Sequence, residues 1–172
     1  LFRHPVRRAT SMFYYLQQAK WEPTYDPNLA DMTILEYAQS TKVEENWVTR
    51  FLTHHYSGRI TDQHVAEAKA IMRDKMLVGI LEDFQESLKR FELYFDWWTD
   101  KVRPDPAKVV QCQQNKARAS RNKFSHPSLT ESDPAYERLA LLNWADIDLY
   151  QYARQLFAEQ ADLVKHKDGS MV

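Results

Sequence analysis

The first residues of the chain read Leu1-Phe2-Arg3-His4-Pro5-Val6-Arg7-Arg8-Ala9-Thr10-Ser11. The apolar pair Leu1-Phe2 predicts the end of a buried strand. Pro5 suits the first turn of a helix, because its fixed φ and its missing N–H cost little there. Apolar residues then recur at helical spacing as far as Ala19. We therefore expect Arg3 to lie where a strand passes into a helix.

A second strand followed by a helix is predicted in the middle of the chain. Residues 76–81 form a short apolar run, which favours a buried parallel strand. Residues 82–98 follow with an amphipathic pattern of helical period. The apolar stripe of that helix consists of Phe84, Leu88, Phe91 and Phe95. A strand followed by a helix indicates an α/β sheet.

The rest of the pattern predicts further helices and one polar loop. Thr33 and Glu36 have the spacing of a capping box, so a short helix should begin there. Residues 111–132 contain too few apolar side chains to belong to a core, and we expect a loop. Other helical segments are predicted at residues 45–53, at residues 62–75, and from Asp133-Pro134 onward with an interruption at Asn143.

The composition bounds the class of protein. The chain has 172 residues, 44% of them hydrophobic and 13% aromatic, enough for one domain with a core. We assign residues 1–165 to that domain and residues 166–172 to a polar tail. A net charge of −1 gives no overall basic surface for nucleic acid or a membrane, so an anion site must be local. Cys112 is the only cysteine, which excludes an intrachain disulfide and a cysteine-rich metal site.

The spacing of Arg3 and Ser11 suits a phosphate. The planar guanidinium of an arginine matches phosphate oxygens, and ligands of open α/β folds bind beyond the ends of the strands. Ser11 follows eight residues later, which is about 2.2 helical turns, and its hydroxyl can donate to the same group. Arg7 or Arg8 would add positive charge. The alternative is that the three arginines form surface ion pairs and Ser11 is an ordinary helix residue.

The pattern Arg3-x-Pro5-Val6-x-Arg8-x-x-Ser11, followed by three aromatic residues, resembles a known motif. It is similar to the 3'-phosphate-binding motif of sulfotransferases that use 3'-phosphoadenosine 5'-phosphosulfate (PAPS), and most to the carbohydrate sulfotransferases related to heparan sulfate 2-O-sulfotransferase. In that family the motif arginine and serine hold the 3'-phosphate of the donor. His4 departs from the family, which usually has an acidic residue there.

Later segments resemble motifs of the same family in the same order. They are Asn46-x-x-Thr49-Arg50-x-Leu52, the segment Leu77-Val78-Gly79-Ile80-Leu81-Glu82, and Asn143-x-x-Asp146-x-x-Leu149-Tyr150. The resemblance implies the C-terminal part of a three-layer P-loop-type α/β domain, predominantly helical in this chain. It also implies PAPS as the sulfuryl donor, a glycan acceptor and no metal. A basic loop at residues 115–121 matches the loop that closes over the donor, so Lys116 and Arg118 are predicted to touch its phosphates.

The resemblance also implies parts that this sequence does not contain. The family holds the 5'-phosphosulfate with a loop that carries lysine and threonine, and neither this loop nor the catalytic base is recognisable here. We expect both to precede Leu1, where the chain begins without methionine, so the catalytic residues are unknown and the chain alone is expected to be inactive. A Golgi-lumen location with a membrane anchor outside the chain is likewise implied by the family.

Other interpretations stay open at this stage. The aromatic amphipathic helices also fit a non-catalytic, mostly helical interaction module. A kinase-like P-loop enzyme shares the fold class, but no residues support a nucleoside triphosphate site. Arg50 either points into a cleft or pairs with a carboxylate such as that of Glu45, and we favour the structural role. His54-His55 is interpreted as surface loop, because adjacent residues of a regular element do not share a face.

Overall fold

The computed structural model describes residues 1–95, 105–119 and 126–165, and over these ranges the chain is predominantly helical, as predicted. None of the helices in these ranges has the length and apolar composition needed to span a membrane. The α-helices are α1 (Pro5–Leu16), α2 (Ile34–Gln39), α3 (Trp47–Thr53), α4 (Asp62–Lys75), α5 (Phe84–Phe95), α6 (Pro106–Ala119), α7 (Pro134–Leu142), α8 (Trp144–Glu159) and α9 (Ala161–Lys165), with a 3-10 helix at Pro27–Asp31.

Local sequence signals placed several helix ends correctly. The capping box of Thr33 and Glu36 is present, with each side chain bonded to the other's backbone N–H. The predicted start at Asp133-Pro134 is confirmed, and the Asp133 side chain accepts from the N–H of Ala135. Asn143 separates α7 from α8, as predicted. These signals succeed because they satisfy backbone groups within a few residues.

The chain folds as two compact units. Unit 1 consists of Leu1–Phe2, Met72–Lys123 and Gln151–Val172, and unit 2 consists of Arg3–Ile71 and Phe124–Tyr150. The assignment of residues 1–165 to a single sulfotransferase-type domain stays a prediction, and the tail at 166–172 lies outside the described residues.

The core of unit 2 forms around one face of α1. Val6, Ala9 and Phe13 share that face and are almost fully buried. They pack with Tyr37 of α2 and Leu139 of α7, and the rings of Phe13 and Tyr37 lie 4.9 Å apart. Burial of each large apolar side chain stabilises the fold by about 1.5–3 kcal/mol. The apolar residues of α1 recur at helical spacing because they contribute to this one core.

We predict that Tyr37 makes the stability of unit 2 fall in strong base. Burial raises the pKa of Tyr37 to about 12, with a smaller contribution from Glu44 and an opposing one from Arg8. The unfolded chain loses this proton near pH 10, so stability is complete below that pH and falls by about 2–3 kcal/mol as the pH rises to about 12. Urea unfolding across this range should show the loss in wild type and not in Tyr37→Phe.

The matched control is Tyr56→Phe, because Tyr56 is exposed and its removal should leave the pH profile of the wild type. Identical alkaline profiles for wild type and Tyr37→Phe would show that the prediction is wrong.

Unit 1 contains one parallel residue pair where the sequence predicted two strands. The N–H of Phe2 donates to the carbonyl of Gly79, and the N–H of Leu81 donates to the carbonyl of Phe2, both at 2.7 Å. Phe2 and Ile80 thereby form an isolated parallel bridge. Within the described residues this pairing does not extend to a strand, so the prediction of strands at Leu1-Phe2 and at residues 76–81 is corrected to a single bridge.

Side chains occupy the other edge of the same extended segment. The Gln160 amide accepts from the N–H of Val78 at 2.8 Å and donates to the carbonyl of Met76 at 2.9 Å. The Ser87 hydroxyl accepts from the N–H of Ile80 and donates to its carbonyl, both at 2.9 Å. Buried backbone groups must find partners. Here two side chains supply them, which is a physical reason why no second strand pairs on this edge.

The buried face of helix α5 differs from the apolar stripe predicted for it. Phe95 at its end is exposed, and the most buried residues of this helix are Ser87 and Arg90. The Arg90 guanidinium lies 3.8 Å from the ring centroid of Phe157, donates to the carbonyl of Phe157 and bonds Glu86 at 2.8 Å. An arginine can be buried when a carboxylate pairs with its charge and its N–H groups find acceptors.

We predict that Gln160→Leu destabilises unit 1 by about 1–3 kcal/mol, because the N–H of Val78 and the carbonyl of Met76 would be buried without partners. The loss should appear as a lower midpoint of urea unfolding. Gln155→Leu is the matched control, since Gln155 is exposed and its side chain donates to the carboxylate of Glu159 on the same helix. An equal effect of the two substitutions would contradict the role assigned to Gln160.

Candidate functional site

The predicted anion-binding residues flank the start of α1. Arg3 comes directly after the bridged residue Phe2, and α1 begins two residues later at Pro5. Ser11 lies two turns along α1. Both Arg3 and Ser11 are half-buried members of unit 2, and both already interact with other groups of the protein. The predicted order of backbone pairing, arginine and helix is therefore present, with a single bridge in place of a strand.

The two neighbouring arginines have different roles. Arg8 forms an ion pair with Glu44 at 2.8 Å, and its guanidinium carbon lies 4.7 Å from the ring centroid of Trp47. Arg8 is therefore used within the fold, as the surface ion-pair alternative predicted. Arg7 is exposed. Burial raises the pKa of Tyr136, and the positive charge of Arg7 opposes that shift.

A line of four side chains runs along one side of α1. His4, Arg7, Ser11 and Tyr14 follow one another at intervals of three and four residues, so they are neighbours on the helix surface. We call these four residues the α1 stripe. The apolar face that Val6 and Phe13 share is a different face of the helix, so the stripe is not the core face.

Aromatic rings contact both ends of the α1 stripe. The His4 ring stacks on Tyr136 with centroids 6.1 Å apart and meets Tyr150 edge-on at 5.4 Å. The Tyr14 ring stacks on His126 with centroids 4.9 Å apart and planes inclined by only 11°. The basic and hydroxyl groups in the middle of the stripe thus lie between two aromatic contacts, all within unit 2.

The predicted loop with Lys116 and Arg118 is a helix instead. Both residues belong to α6, which runs from Pro106 to Ala119, and residue 121 lies outside the described residues. The Asp105 side chain caps α6 by accepting from the N–H of Ala107 at 2.9 Å. Alanine, lysine, glutamine and arginine are strong helix formers, so a segment with few apolar residues is helical all the same. Lys116 and Arg118 belong to unit 1, whereas Arg3 and Ser11 belong to unit 2.

Arg50 has the structural role that we favoured, but its partners are carbonyl groups. Its guanidinium donates to the backbone carbonyls of Glu45 at 3.0 Å, His55 at 3.2 Å and Gly58 at 3.0 Å. The expected pairing with the Glu45 carboxylate is therefore replaced by a bond to the carbonyl of the same residue. Through these bonds the Arg50 side chain links Glu45, which precedes α3, to two residues of the loop that follows α3.

The adjacent histidines do not form one site. The Nδ1 of His54 lies 3.3 Å from the hydroxyl of Tyr56, while the His55 ring contacts the His64 ring with centroids 4.2 Å apart. The surface-loop interpretation is confirmed, since neither residue belongs to a regular element. In the part of the chain that the structure describes, no group of three or more histidine, cysteine or acidic side chains has the arrangement of a metal site.

Two motifs that the sequence presented separately meet in the interior of unit 2. The Asn46 side chain accepts from the N–H groups of Ala145 and Asp146 at 3.0 and 3.3 Å, at the start of α8. The Asp146 carboxylate accepts from the N–H groups of Val48 and Thr49 at 2.9 and 2.8 Å, at the start of α3. Each helix therefore supplies the cap of the other.

Further bonds complete this contact. Asn143 accepts from the N–H of Asn46 at 3.0 Å, and the Thr49 hydroxyl donates to Asp146 at 2.7 Å. Asn46, Thr49, Asn143 and Asp146 are all at most 3% exposed. We call these four residues the reciprocal cap. A repeated Asn-Trp pair at the start of both helices was the one sequence signal for it, and residue spacing along the chain does not show which helix supplies which cap.

We predict that Asp146→Asn destabilises unit 2 by about 3 kcal/mol, because the amide nitrogen would face buried N–H groups that need an acceptor. Asp148→Asn is the matched control on the same helix. Its carboxylate is half-exposed in an ion pair with Lys69, and loss of that pair should cost less than about 1 kcal/mol. Urea unfolding of the two variants measures the difference, and equal losses would show that the cap is not a main source of stability.

Comparisons with known proteins add no relative to this description. No protein-family model, no curated protein sequence and no solved structure matches the chain. A function must therefore be inferred from the residues of the α1 stripe, from Arg3 and from the motifs quoted from the sequence.

Proposed function

We propose that the chain takes part in sulfuryl transfer from PAPS to a hydroxyl group of a carbohydrate acceptor, and that it binds the 3'-phosphate of the donor. The observation that carries the proposal is the position of Arg3 directly before α1, with Ser11 on the same helix about two turns later. A segment paired in parallel, a basic residue and a helix follow one another without a gap.

The chemistry of these residues suits a dianionic phosphate. The Arg3 guanidinium can donate two parallel hydrogen bonds to phosphate oxygens, and the Ser11 hydroxyl can donate a third. Arg7 adds a positive charge on the exposed side, whereas Arg8 is engaged by Glu44. Because the net charge of the chain is −1, an anion would be attracted by local positive charge and not by the chain as a whole. Lys116 and Arg118 stay predicted donor contacts.

The transfer step itself is assigned to no residue of this chain. It needs a base that takes the proton of the acceptor hydroxyl while the sulfuryl group leaves adenosine 3',5'-bisphosphate. The P-loop-type three-layer fold belongs to the same proposal and comes from the resemblance; within the described residues the structure contains one parallel bridge, between Phe2 and Ile80, and no strand. The glycan acceptor and the Golgi location belong to the same proposal and come from the resemblance.

The test measures binding of adenosine 3',5'-bisphosphate by calorimetry. Loss of charge-assisted hydrogen bonds should weaken the affinity of Arg3→Ala by about ten- to a hundredfold, and Ser11→Ala by about two- to tenfold. Arg73→Ala is the control, because Arg73 is exposed and pairs with the adjacent Asp74. Unchanged affinity in both Arg3→Ala and Ser11→Ala would refute the assignment of these residues.

A non-catalytic interaction module is the second candidate, and one observation favours it. Trp47 and Phe51 on α3 are 41% and 51% exposed, and their rings stack with centroids 5.2 Å apart. Exposed aromatic pairs are common where proteins dock. Under this alternative the wild-type chain would not bind adenosine 3',5'-bisphosphate at all, so the same titration separates the two functions.

A further inference from the structure

His4 departs from the family that the N-terminal motif resembles, and the charge of a histidine depends on pH. The family usually has an acidic residue at this position, which is negative at neutral pH. An imidazole in water exchanges its proton near pH 6.5, so a histidine changes between neutral and positive in the physiological range. His4 therefore introduces a variable charge directly beside Arg3.

The His4 ring is held in position by groups of unit 2. It is half-buried, stacks on Tyr136 of α7 with centroids 6.1 Å apart, and meets Tyr150 of α8 edge-on at 5.4 Å. The face of an aromatic ring attracts a cation, so Tyr136 can accommodate a protonated imidazole. Because two helices hold the ring, a change of its charge acts at a defined place beside α1.

Several charges act around this ring. Arg3 adjoins His4 in the chain, Arg7 follows three residues later on the α1 stripe, and the start of a helix carries a partial positive charge. On the α7 side, the charges of Glu131 and Arg7 act on the pKa of Tyr136 in opposite directions. Tyrosine phenols are neutral near pH 7. The positive charges of Arg3, Arg7 and the helix start oppose a proton on His4, and a bound anion offsets them.

We propose that His4 is a further basic group of the anion site and that it takes up a proton when a phosphate dianion binds at Arg3. The proton comes from the solvent and binds the unprotonated ring nitrogen. The phosphate is the one assigned to Arg3 and Ser11, so this inference rests on the proposed function. The coupling needs no direct contact, because consecutive Cα atoms lie about 3.8 Å apart and charges interact over about 30 Å at an ionic strength of 0.01 M.

Calorimetry of the full chain with adenosine 3',5'-bisphosphate at pH 6 and pH 8, in 0.01 M salt, tests the coupling. The matched variant is His4→Phe, which keeps a ring against Tyr136 and Tyr150 but cannot carry a proton. The phosphates of the ligand also gain protons near pH 6, so variant and wild type are compared at the same pH. The wild type should bind about three- to tenfold more tightly than His4→Phe at pH 6, and within about twofold of it at pH 8.

Two further measurements sharpen the test. Titrations at pH 7 in buffers of different ionisation enthalpy count the protons exchanged on binding, and the wild type should take up more of them than His4→Phe. An ionic strength of 0.5 M should reduce the advantage of the wild type at pH 6. His54→Gln is the control and should match the wild type, since His54 lies in the exposed loop after α3.

The outcomes separate this inference from the proposed function. The same affinity ratio of wild type to His4→Phe at pH 6 and pH 8, with equal proton exchange, overturns the role of His4 and leaves the phosphate site standing. His4→Gln repeats the comparison with a smaller polar side chain, in case the phenyl ring disturbs the packing. If the wild type binds the ligand at neither pH, the proposed function fails and the role of His4 fails with it.

Discussion

The reciprocal cap is the interaction on which the arrangement of unit 2 depends. Each helix end has N–H groups that its own helix cannot satisfy, and burial makes their desolvation costly. Asp146 supplies acceptors to α3, and Asn46 supplies an acceptor to α8. Because neither helix start is satisfied without the other, segments about a hundred residues apart in sequence must meet at one place, and the loops around them are constrained accordingly.

Unit 1 solves the same problem of buried backbone groups in another way. The extended segment before α5 pairs with Phe2 on one edge and with the side chains of Gln160 and Ser87 on the other. These side chains satisfy the edge opposite Phe2, where a further strand could otherwise pair. In both units, then, hydrogen-bond satisfaction decides the local arrangement, and apolar burial supplies most of the stabilisation.

Some parts of the candidate site could be predicted from the sequence, and others could not. Arg3 and Ser11 were proposed from their spacing and from the resemblance, and the helix that carries Ser11 begins where Pro5 indicated. The loop conformation predicted for Lys116 and Arg118 was wrong, since both lie on a helix made of good helix formers, and their contact with the donor stays a prediction. The Tyr14–His126 stack was not foreseen, because the two residues are far apart in sequence and no motif connects them.

The sequence by itself determined what depends on a few neighbouring residues. It set the start of α1 at Pro5, the capping box of Thr33 and Glu36, and the interruption at Asn143, because caps and helical period act locally. Only the tertiary structure decided which groups meet across the chain, including the partners of Asp146 and of Gln160. Such partners follow from the packing of the whole core, which spacing along the chain does not encode in readable form.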